Sequence, residues 1–328
     1  MNDAGEHSGG AAIDSISVGL CAVVVAVTED EPRVLVIKPG EGAPDALPAG
    51  PLQPQHRALE AGLRSWVERQ AGQTLGYVEQ LYTFGDLHRH GHEPASGRAL
   101  SIGYLALVRA ARPAASLGAT WQSWYHYFPW EDWRLGRPPV LEALERHLAE
   151  WTERASTEAE RRSRAERLGM SFGLGDAVWN EERVLERYEL LYESGLVLES
   201  RRDGRPSCSV GEAAHALSPA MVADHRRILA TAIARLRGKI KYRPIVFELM
   251  PPSFTFLQLQ RTVEALAGVR LHKPNFRRLV EQQGVIEETG EVSTETGGRP
   301  ARRLRFRREV LLERPAPGVR LPLSRPLG

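Results

Sequence analysis

The longest apolar run of the chain, from Val18 to Val27, constrains the fold more than any other feature. The run is much shorter than the roughly 20 apolar residues that a membrane-spanning helix needs. The residues before it include Asp3, Glu6 and Asp14 and form no basic leader, so the pattern is not that of a signal peptide. The run therefore predicts a buried strand, in a cytoplasmic protein without a membrane partner.

Strands and a helix are predicted around this run. The apolar residues of 55–70 recur three and four positions apart, which is the spacing of a helix with one buried face. Short apolar segments bounded by turn residues predict the strands. Together these elements predict an α+β domain that ends near Arg112. The predicted strands are 16–27, 34–37, 77–84 and 100–108.

The middle of the chain is predicted to be mostly helical. Four of the seven tryptophans lie between Trp121 and Trp133, where packing in the core or at a dimer contact is favoured over stacking on a base. One helix is predicted to continue through 141–167 and a second to cover 181–194. A hairpin is predicted over 196–205, because a Gly-containing turn follows a short apolar stretch.

The pattern changes again near residue 219. A long amphipathic helix is predicted over 219–238, and a capping box opens a second helix over 255–267. A third helix is predicted over 274–283, where a proline suits the first turn. Short strands at 285–288 and 304–306 flank a loop rich in glycine and arginine. This order is typical of a winged helix-turn-helix.

The net charge of +2 hides an uneven distribution. Residues 226–309 contain 18 Lys and Arg against 8 Asp and Glu, a net charge of +10. Residues 1–225 contain 22 against 32, a net charge of −10. A basic module behind an acidic body points to a polyanionic partner for that module, although charge alone fits a solvated basic surface equally well.

The third helix of the basic module has the residues that a DNA recognition helix needs. Phe276, Leu279 and Val280 are spaced to face the core, which leaves the polar side chains of 273–278 exposed. Asparagine suits adenine and arginine suits guanine, each through paired hydrogen bonds. The alternative is an ordinary solvated helix face. The predicted DNA-binding residues are Lys239, Lys241, Arg243, Lys273, Asn275, Arg277, Arg278, Arg299, Arg302 and Arg303.

The predicted helix at 55–70 carries residues at a fixed spacing after Gly50. Arg64 and Glu68 match the frame of the Nudix box, whose glutamates bind magnesium beside a diphosphate. Ser65 and Arg69 stand where the box has two ligand glutamates. A serine and a cation cannot hold a divalent ion as two carboxylates do, so the sequence predicts no catalytic residue and no enzyme. A simple amphipathic helix after a Gly-Pro turn is the alternative interpretation.

The same domain is predicted to bind an effector. Two aromatic residues of a predicted strand, Tyr82 and Phe84, are two positions apart and are expected to face the same side, where packing is favoured over a role in the pocket. The loop at 88–92 has alternating histidines; a solvated loop whose cations reach a phosphate is favoured over a metal site. No metal ligand is predicted. The predicted effector-binding residues are Arg64, Glu68, Tyr82, Phe84, Arg89 and His90.

Motifs in both halves of the chain resemble those of Nudix-related transcriptional regulators of NAD metabolism. The resemblance is carried by Ala234-Arg235-Leu236-Arg237-Gly238-Lys239-Ile240-Lys241-Tyr242-Arg243-Pro244, by Phe247-Glu248-Leu249-Met250-Pro251, by Asn275-Phe276-Arg277-Arg278 and by Gly298-Arg299-Pro300-Ala301. The motifs occur in the expected order, together with 79–86 and 101–108. The stretch 112–220 is longer than in the short members and resembles the extended form of alphaproteobacterial NAD regulators.

This resemblance implies a homodimeric repressor of NAD biosynthesis or salvage genes that binds a double-stranded DNA operator. Its Nudix pocket would bind a nucleotide effector, such as NAD, ADP-ribose or ATP, with no obligatory cofactor. The effector would favour one arrangement of the two winged helices, and the linker helix would transmit the difference.

Two other functions stay open at this point. The first is an active Nudix pyrophosphatase for ADP-ribose or NAD with an attached nucleic-acid-binding domain, whose metal site would include Glu60 and Glu68. The second is a nonspecific nucleic-acid or RNA-binding adaptor.

The predicted fold class is α+β, with an α/β/α Nudix-like domain, a middle segment of helices and a hairpin, and a C-terminal winged helix-turn-helix. The predicted organisation is a disordered terminus at 1–14, the effector-sensing domain at 15–150, the helical extension at 151–218, the linker helix at 219–244, the DNA-binding domain at 245–314 and a tail at 315–328.

Overall fold

The computed structural model describes residues 16–86, 99–109, 118–205, 218–293 and 300–310. Within these ranges the chain forms a six-stranded sheet and a three-stranded sheet, each packed against helices. No helix of the described ranges is both long and apolar enough to cross a membrane. The strands of the larger sheet are β1 (Ser17–Thr28), β2 (Glu31–Ile37), β3 (Ala49–Pro51), β4 (Tyr77–Phe84), β5 (Ala99–Leu107) and β6 (Ala119–Ser123).

The long apolar run forms β1, the central strand of the larger sheet. The strand order is β4-β5-β1-β2-β6, with β3 paired to β1, and β1 runs parallel to β5. Alternate side chains of β1 enter two different cores, so Leu20 and Val24 face one side and Val23 faces the other. All three are fully buried. The prediction of a buried strand is therefore confirmed.

One face of the sheet is covered by α1 (Leu59–Ala71). Leu63 and Val67 lie one turn apart on this helix and pack against Leu20 and its neighbours. The helix ends at Gly72, whose left-handed backbone (φ 61°) returns an N–H to the carbonyl oxygen of Glu68. The predicted helix over 55–70 is therefore present, although it begins four residues later.

The other face is covered by a helix from much later in the chain, α7 (His225–Ile240). The helix packs against β1, β4 and β5. Gly103 of β5 allows this approach, because a Cβ there would lie 3.1 Å from a methyl carbon of Ile228. The predicted α/β/α arrangement is confirmed, and the linker helix supplies one of its layers.

In its described part, the segment between the two halves has helices as its regular secondary structure, joined by loops. It comprises α2 (Trp124–Tyr127), a 3-10 turn (Pro129–Glu131), α3 (Val140–Glu153), α4 (Glu158–Phe172), α5 (Val184–Glu193) and α6 (Leu198–Arg202). The predicted continuous helix over 141–167 is two helices, because Thr157 caps a new start by accepting a hydrogen bond from the backbone N–H of Glu160. Trp124 and Trp130 are buried in the core.

The predicted hairpin over 196–205 is wrong, because residues 198–202 form α6. The apolar stretch before it is too short to distinguish a strand from a helix by periodicity. Tertiary contacts of Glu199 stabilise the helix instead. Its carboxylate is buried, accepts a hydrogen bond from the backbone N–H of Met221 at 3.0 Å and pairs with the buried Arg226 at 3.3 Å. Residues 206–217, which follow the predicted turn, lie outside the described residues.

The C-terminal module is a winged helix-turn-helix, as predicted. A 3-10 turn (Pro244–Glu248) leads into β7 (Phe254–Thr255), α8 (Phe256–Ala267), α9 (Lys273–Gln283), β8 (Ile286–Ser293) and β9 (Ala301–Phe306), and the sheet order is β7-β9-β8. The predicted capping box is present. Thr255 Oγ1 accepts the N–H of Gln258 at 3.2 Å, and Gln258 Oε1 accepts the N–H of Thr255 at 2.7 Å.

A fully buried carboxylate joins the two halves of the molecule. Glu131 accepts a hydrogen bond from Arg187 Nε of α5 at 2.6 Å through Oε1, and from Arg237 Nη1 of α7 at 2.6 Å through Oε2. Both guanidinium groups are fully buried as well. Arg237 Nε also donates to the carbonyl oxygen of Leu266 in α8 at 3.0 Å. We call Glu131, Arg187 and Arg237 the buried ion cluster.

Neighbouring hydrogen bonds extend this junction into the winged helix domain. The Tyr125 hydroxyl donates to the carbonyl oxygen of Ala265 at 2.6 Å, and the backbone N–H of Trp133 donates to the carbonyl oxygen of Gly268 at 2.7 Å. Gly268 has a left-handed backbone (φ 76°), and a Cβ there would lie 2.4 Å from the carbonyl oxygen of Glu131. The end of α8 can therefore fit against the turn that carries Glu131 only with glycine at this position.

The buried ion cluster leads to a stability prediction. Glu131→Ala would leave two buried guanidinium groups without their carboxylate, a type of change that costs about 3–5 kcal/mol. We expect urea unfolding to show a loss of that size in the free energy of unfolding. Glu166→Ala, at an exposed position of α4, is the matched control and should leave the midpoint unchanged. A loss below about 1 kcal/mol for Glu131→Ala would show that the cluster does not hold the fold together.

Candidate nucleic-acid interface and effector site

The recognition helix α9 presents its polar residues to solvent. Phe276 and Val280 are buried against the rest of the module, whereas Lys273, Asn275 and Arg278 are exposed. The helix has a proline in its first turn and ends at Gly284, which has a left-handed backbone (φ 58°). The division into a buried and an exposed face follows the predicted spacing.

The exposed residues of α9 differ in how they are held. Arg277 Nε donates to Glu281 Oε1 at 2.8 Å, and its guanidinium lies 5.4 Å from the ring centre of Phe256. Within the described ranges, no hydrogen bond or ion pair engages Lys273, Asn275 or Arg278. These three side chains are therefore available to a ligand, whereas Arg277 would have to leave Glu281.

The wing carries its arginines on β9. Arg302 pairs with Glu288 at 2.5 Å and Arg305 with Glu287 at 2.6 Å, both across the β8–β9 pair. Arg303 donates to the Ser253 hydroxyl at 3.2 Å. The wing is therefore less positive than its arginine content indicates. Arg299 and the glycines before it lie outside the described residues.

The basic cluster predicted before the module holds the linker helix in place. Lys239 Nζ contacts Glu79 of β4 and the Tyr77 hydroxyl, the latter at 3.2 Å. Burial acts to raise the pKa of Glu79, but hydrogen bonds from Lys239 and Tyr77 outweigh it and the pKa lies below its ordinary value. A DNA contact by Lys239 would require breaking this pair.

Lys241 and Arg243 follow on the same segment. Lys241 Nζ lies 2.5 Å from a carboxylate oxygen of Glu181 and 2.6 Å from one of Glu182, so it ties α7 to the start of α5. Arg243 has an exposed side chain. Arg243 is therefore the most exposed of the three residues of this predicted DNA-binding cluster.

Arg64 of α1 has an internal role. Its guanidinium donates to the carbonyl oxygens of Leu75 and Gly76, the latter at 3.0 Å, and pairs with Glu60 at 2.8 Å. These bonds fix the chain after α1 against the helix. Glu68 is exposed and accepts a hydrogen bond from the Thr74 hydroxyl at 3.4 Å.

The predicted effector contact by Phe84 is wrong. Its side chain is 2% exposed and belongs to the core, whereas Tyr82 is 63% exposed. The pairing of β4 with β5 shifts register between Gln80 and Thr83, which breaks the regular alternation on which the prediction depended. The two rings still touch edge to face, with centroids 5.5 Å apart. Arg89 and His90 lie outside the described residues.

Sequence reasoning missed a pair of residues on α1. The Trp66 ring covers Gly50 so closely that a Cβ there would lie 2.2 Å from a ring carbon. The Arg69 guanidinium lies 3.9 Å from the centre of the same ring. The signal was available, because residues three apart are neighbours on a helix surface. In the part of the chain that the structure describes, no group of three or more His, Cys, Asp and Glu residues is placed to hold a metal ion.

Comparison with known sequences identifies the C-terminal module. Residues 246–306 match the family model described as the NrtR DNA-binding winged helix domain. A curated relative, the ADPR responsive transcriptional repressor NtrR of Acinetobacter baylyi, is 43% identical over 83 residues. This match covers 25% of the chain and 33% of the relative, so the chain matches about a third of the curated protein.

Comparison with solved structures covers nearly the whole chain. Shewanella oneidensis NrtR, in its complex with a 27mer DNA, has a TM-score of 0.53 at 18% identity and covers 89% of this chain and 94% of that one. A MutT/nudix family protein from Enterococcus faecalis has a TM-score of 0.52 at 15% identity, with 92% and 90% covered. At these identities the likeness shows the fold. The described chain therefore has the fold of Shewanella oneidensis NrtR, and its residues 246–306 are similar to the NrtR DNA-binding winged helix domain.

Proposed function

We propose that this protein is a nucleotide-responsive transcriptional repressor of NAD biosynthesis or salvage genes. The observation that carries the proposal is an NrtR-type winged helix domain whose recognition helix exposes Lys273, Asn275 and Arg278. Within the described ranges these side chains have no protein partner, so they can bind base edges and phosphates without losing an internal bond.

A homodimer follows from the way such domains read DNA. One recognition helix reads one short segment of the major groove, and two copies on a two-fold axis read half-sites about one helical turn apart. The chain contributes one such helix, α9. A second copy would supply the other half-site contact and the affinity that a specific repressor needs.

The effector that we propose is ADP-ribose, with NAD and ATP as the other candidates. The curated relative is named for its response to ADPR, and the sensor part of this chain has a Nudix fold. ADP-ribose carries a diphosphate between two sugars, which is the group that a Nudix pocket is shaped to receive. No obligatory cofactor is part of the proposal.

The sensor is proposed to bind its effector without hydrolysing it. Ser65 and Arg69 replace two glutamates of the Nudix box, so a carboxylate cage for magnesium lacks two of its members. The alternative is a pyrophosphatase centred on Glu60 and Glu68. Against it, Glu60 is already paired with Arg64 at 2.8 Å.

The signal is proposed to pass through α7, which is both a layer of the sensor and the anchor of α8. Arg227 of α7 pairs with Asp86, which follows β4 and precedes the predicted effector loop in the sequence. Twelve residues of helix, about three turns, connect Arg227 to Lys239, near the start of the winged helix module. A coupling free energy of about 1–3 kcal/mol would change operator occupancy several-fold to a hundred-fold.

DNA recognition is tested with the protein's own upstream region. Arg278→Ala should weaken binding by about 1–3 kcal/mol in a gel shift, because a side chain reading a base edge is lost. Arg162→Ala, at an exposed position of α4, is the control and should bind as the wild type does. Equal wild-type affinity for a scrambled duplex would indicate a nonspecific adaptor and contradict the repressor proposal.

Effector binding is tested by a thermal-shift panel of ADP-ribose, NAD, ATP and nicotinate mononucleotide, repeated with operator DNA. We expect ADP-ribose at a hundred times its Kd to stabilise the protein by about 2.7 kcal/mol and to change operator affinity in the same experiment. A panel in which no nucleotide shifts the melting temperature would contradict the sensor proposal.

The absence of hydrolysis is tested by incubating the protein with ADP-ribose and magnesium and following AMP release. We expect no turnover above background, since two ligand carboxylates are missing. Arg69→Ala should not create activity, because it removes the cation without restoring a carboxylate. Turnover near the ordinary enzymatic rate of about 10 per second would establish the pyrophosphatase alternative.

A further inference from the structure

The Arg69 side chain is held in a defined place on the surface of the sensor domain. Its guanidinium stacks 3.9 Å from the ring centre of Trp66, and its Nε donates to the carbonyl oxygen of Ser65 at 3.3 Å. The next residue, Gln70, bonds both the N–H and the carbonyl oxygen of Ala49, at 3.1 and 2.8 Å. The two Gln70 hydrogen bonds fix this turn of α1 against β3.

An aromatic surface continues from Arg69 toward the start of the helix. Trp66 Nε1 donates to the carbonyl oxygen of Pro51 at 3.0 Å, so its ring lies flat over Gly50. The His56 ring packs edge-on against Trp66, with centroids 6.5 Å apart. His56 also lines a cleft of about 470 Å³ that residues 52–59 form, and Arg57 lines the same cleft.

The two arginines of this surface are cations without an anionic partner. Within the described ranges, neither Arg57 nor Arg69 forms an ion pair with a carboxylate. The carboxylates nearest in sequence are engaged, since Glu60 pairs with Arg64 and Glu68 accepts from the Thr74 hydroxyl. Exposed guanidinium groups that no carboxylate neutralises suit an anionic ligand.

We infer that Arg57, His56, Trp66 and Arg69 form a metal-independent subsite for the diphosphate of a nucleotide. A guanidinium binds phosphate oxygens through two parallel hydrogen bonds and stays charged at any physiological pH. Arg69 stands where the Nudix box has a ligand glutamate, so its cation replaces the charge that a bound magnesium ion would bring. The inference rests on the proposed function and adds how the effector is held.

The test is calorimetric titration of the full chain with ADP-ribose, once with EDTA and once with magnesium. The subsite predicts the same Kd in both buffers. Arg69→Gln should weaken ADP-ribose binding by about tenfold or more, because charged hydrogen bonds are lost. AMP has no diphosphate, so the same variant should weaken AMP binding much less. Arg69→Lys should bind ADP-ribose more tightly than Arg69→Gln does, since the charge is kept.

Two controls separate this role from a structural one. Arg146→Gln, at an exposed position of α3, should bind ADP-ribose as the wild type does. The melting temperature of Arg69→Gln without ligand should equal that of the wild type, because the side chain is exposed.

Two results would overturn the subsite while leaving the proposed function intact. One is wild-type binding that needs magnesium, and the other is an Arg69→Gln variant that binds ADP-ribose with wild-type affinity. A wild-type protein that binds no ADP-ribose in either buffer would instead contradict the effector part of the proposed function, and the subsite with it.

Discussion

The carboxylate of Glu131 is the group on which the arrangement of the molecule depends. Removing a carboxylate from water costs several kcal/mol, and here two guanidinium groups at 2.6 Å compensate that cost. The two arginines come from α5 and α7, and Arg237 also bonds the end of α8. Separating the winged helix domain from the rest of the chain would remove these bonds and leave buried charged groups of the cluster without partners. The physical consequence is that both domains of one chain form a single packed unit.

A second contact between the domains supports the same conclusion. Arg261 of α8 pairs with Asp30, in the turn between β1 and β2, at 3.1 Å. The first helix of the winged helix module thus lies against the β1–β2 hairpin of the larger sheet. These contacts oppose a hinge motion of the winged helix module relative to the larger sheet within one chain, so such a motion is a poor way to transmit an effector signal. Under the proposed function, the signal would act through α7 and change how two copies of this unit are placed on an operator.

Much of the fold could be predicted because it depends on local rules. The β1 strand follows from its apolar run, the start of α8 from the Thr255 capping box and the exposed face of α9 from helical spacing. The buried ion cluster could not be predicted, since Glu131 lies 56 residues from Arg187 and 106 from Arg237 and no periodicity links them. The candidate site could be predicted only in part, because some of its features are local in sequence and others are not. The loss of the ligand glutamates was visible, whereas the stacking of Arg69 on Trp66, the burial of Phe84 and the ion pair of Lys239 depend on tertiary contacts.

Native-state amide hydrogen exchange of the full chain without ligand tests most directly whether the two domains form one unit. The free energies of exchange of the buried amides in β1 and in α8 should agree within about 1 kcal/mol, because neither region can open without breaking the buried ion cluster. Exchange in α8 at a free energy several kcal/mol below that of β1 would show that the winged helix domain opens independently, and would contradict this account.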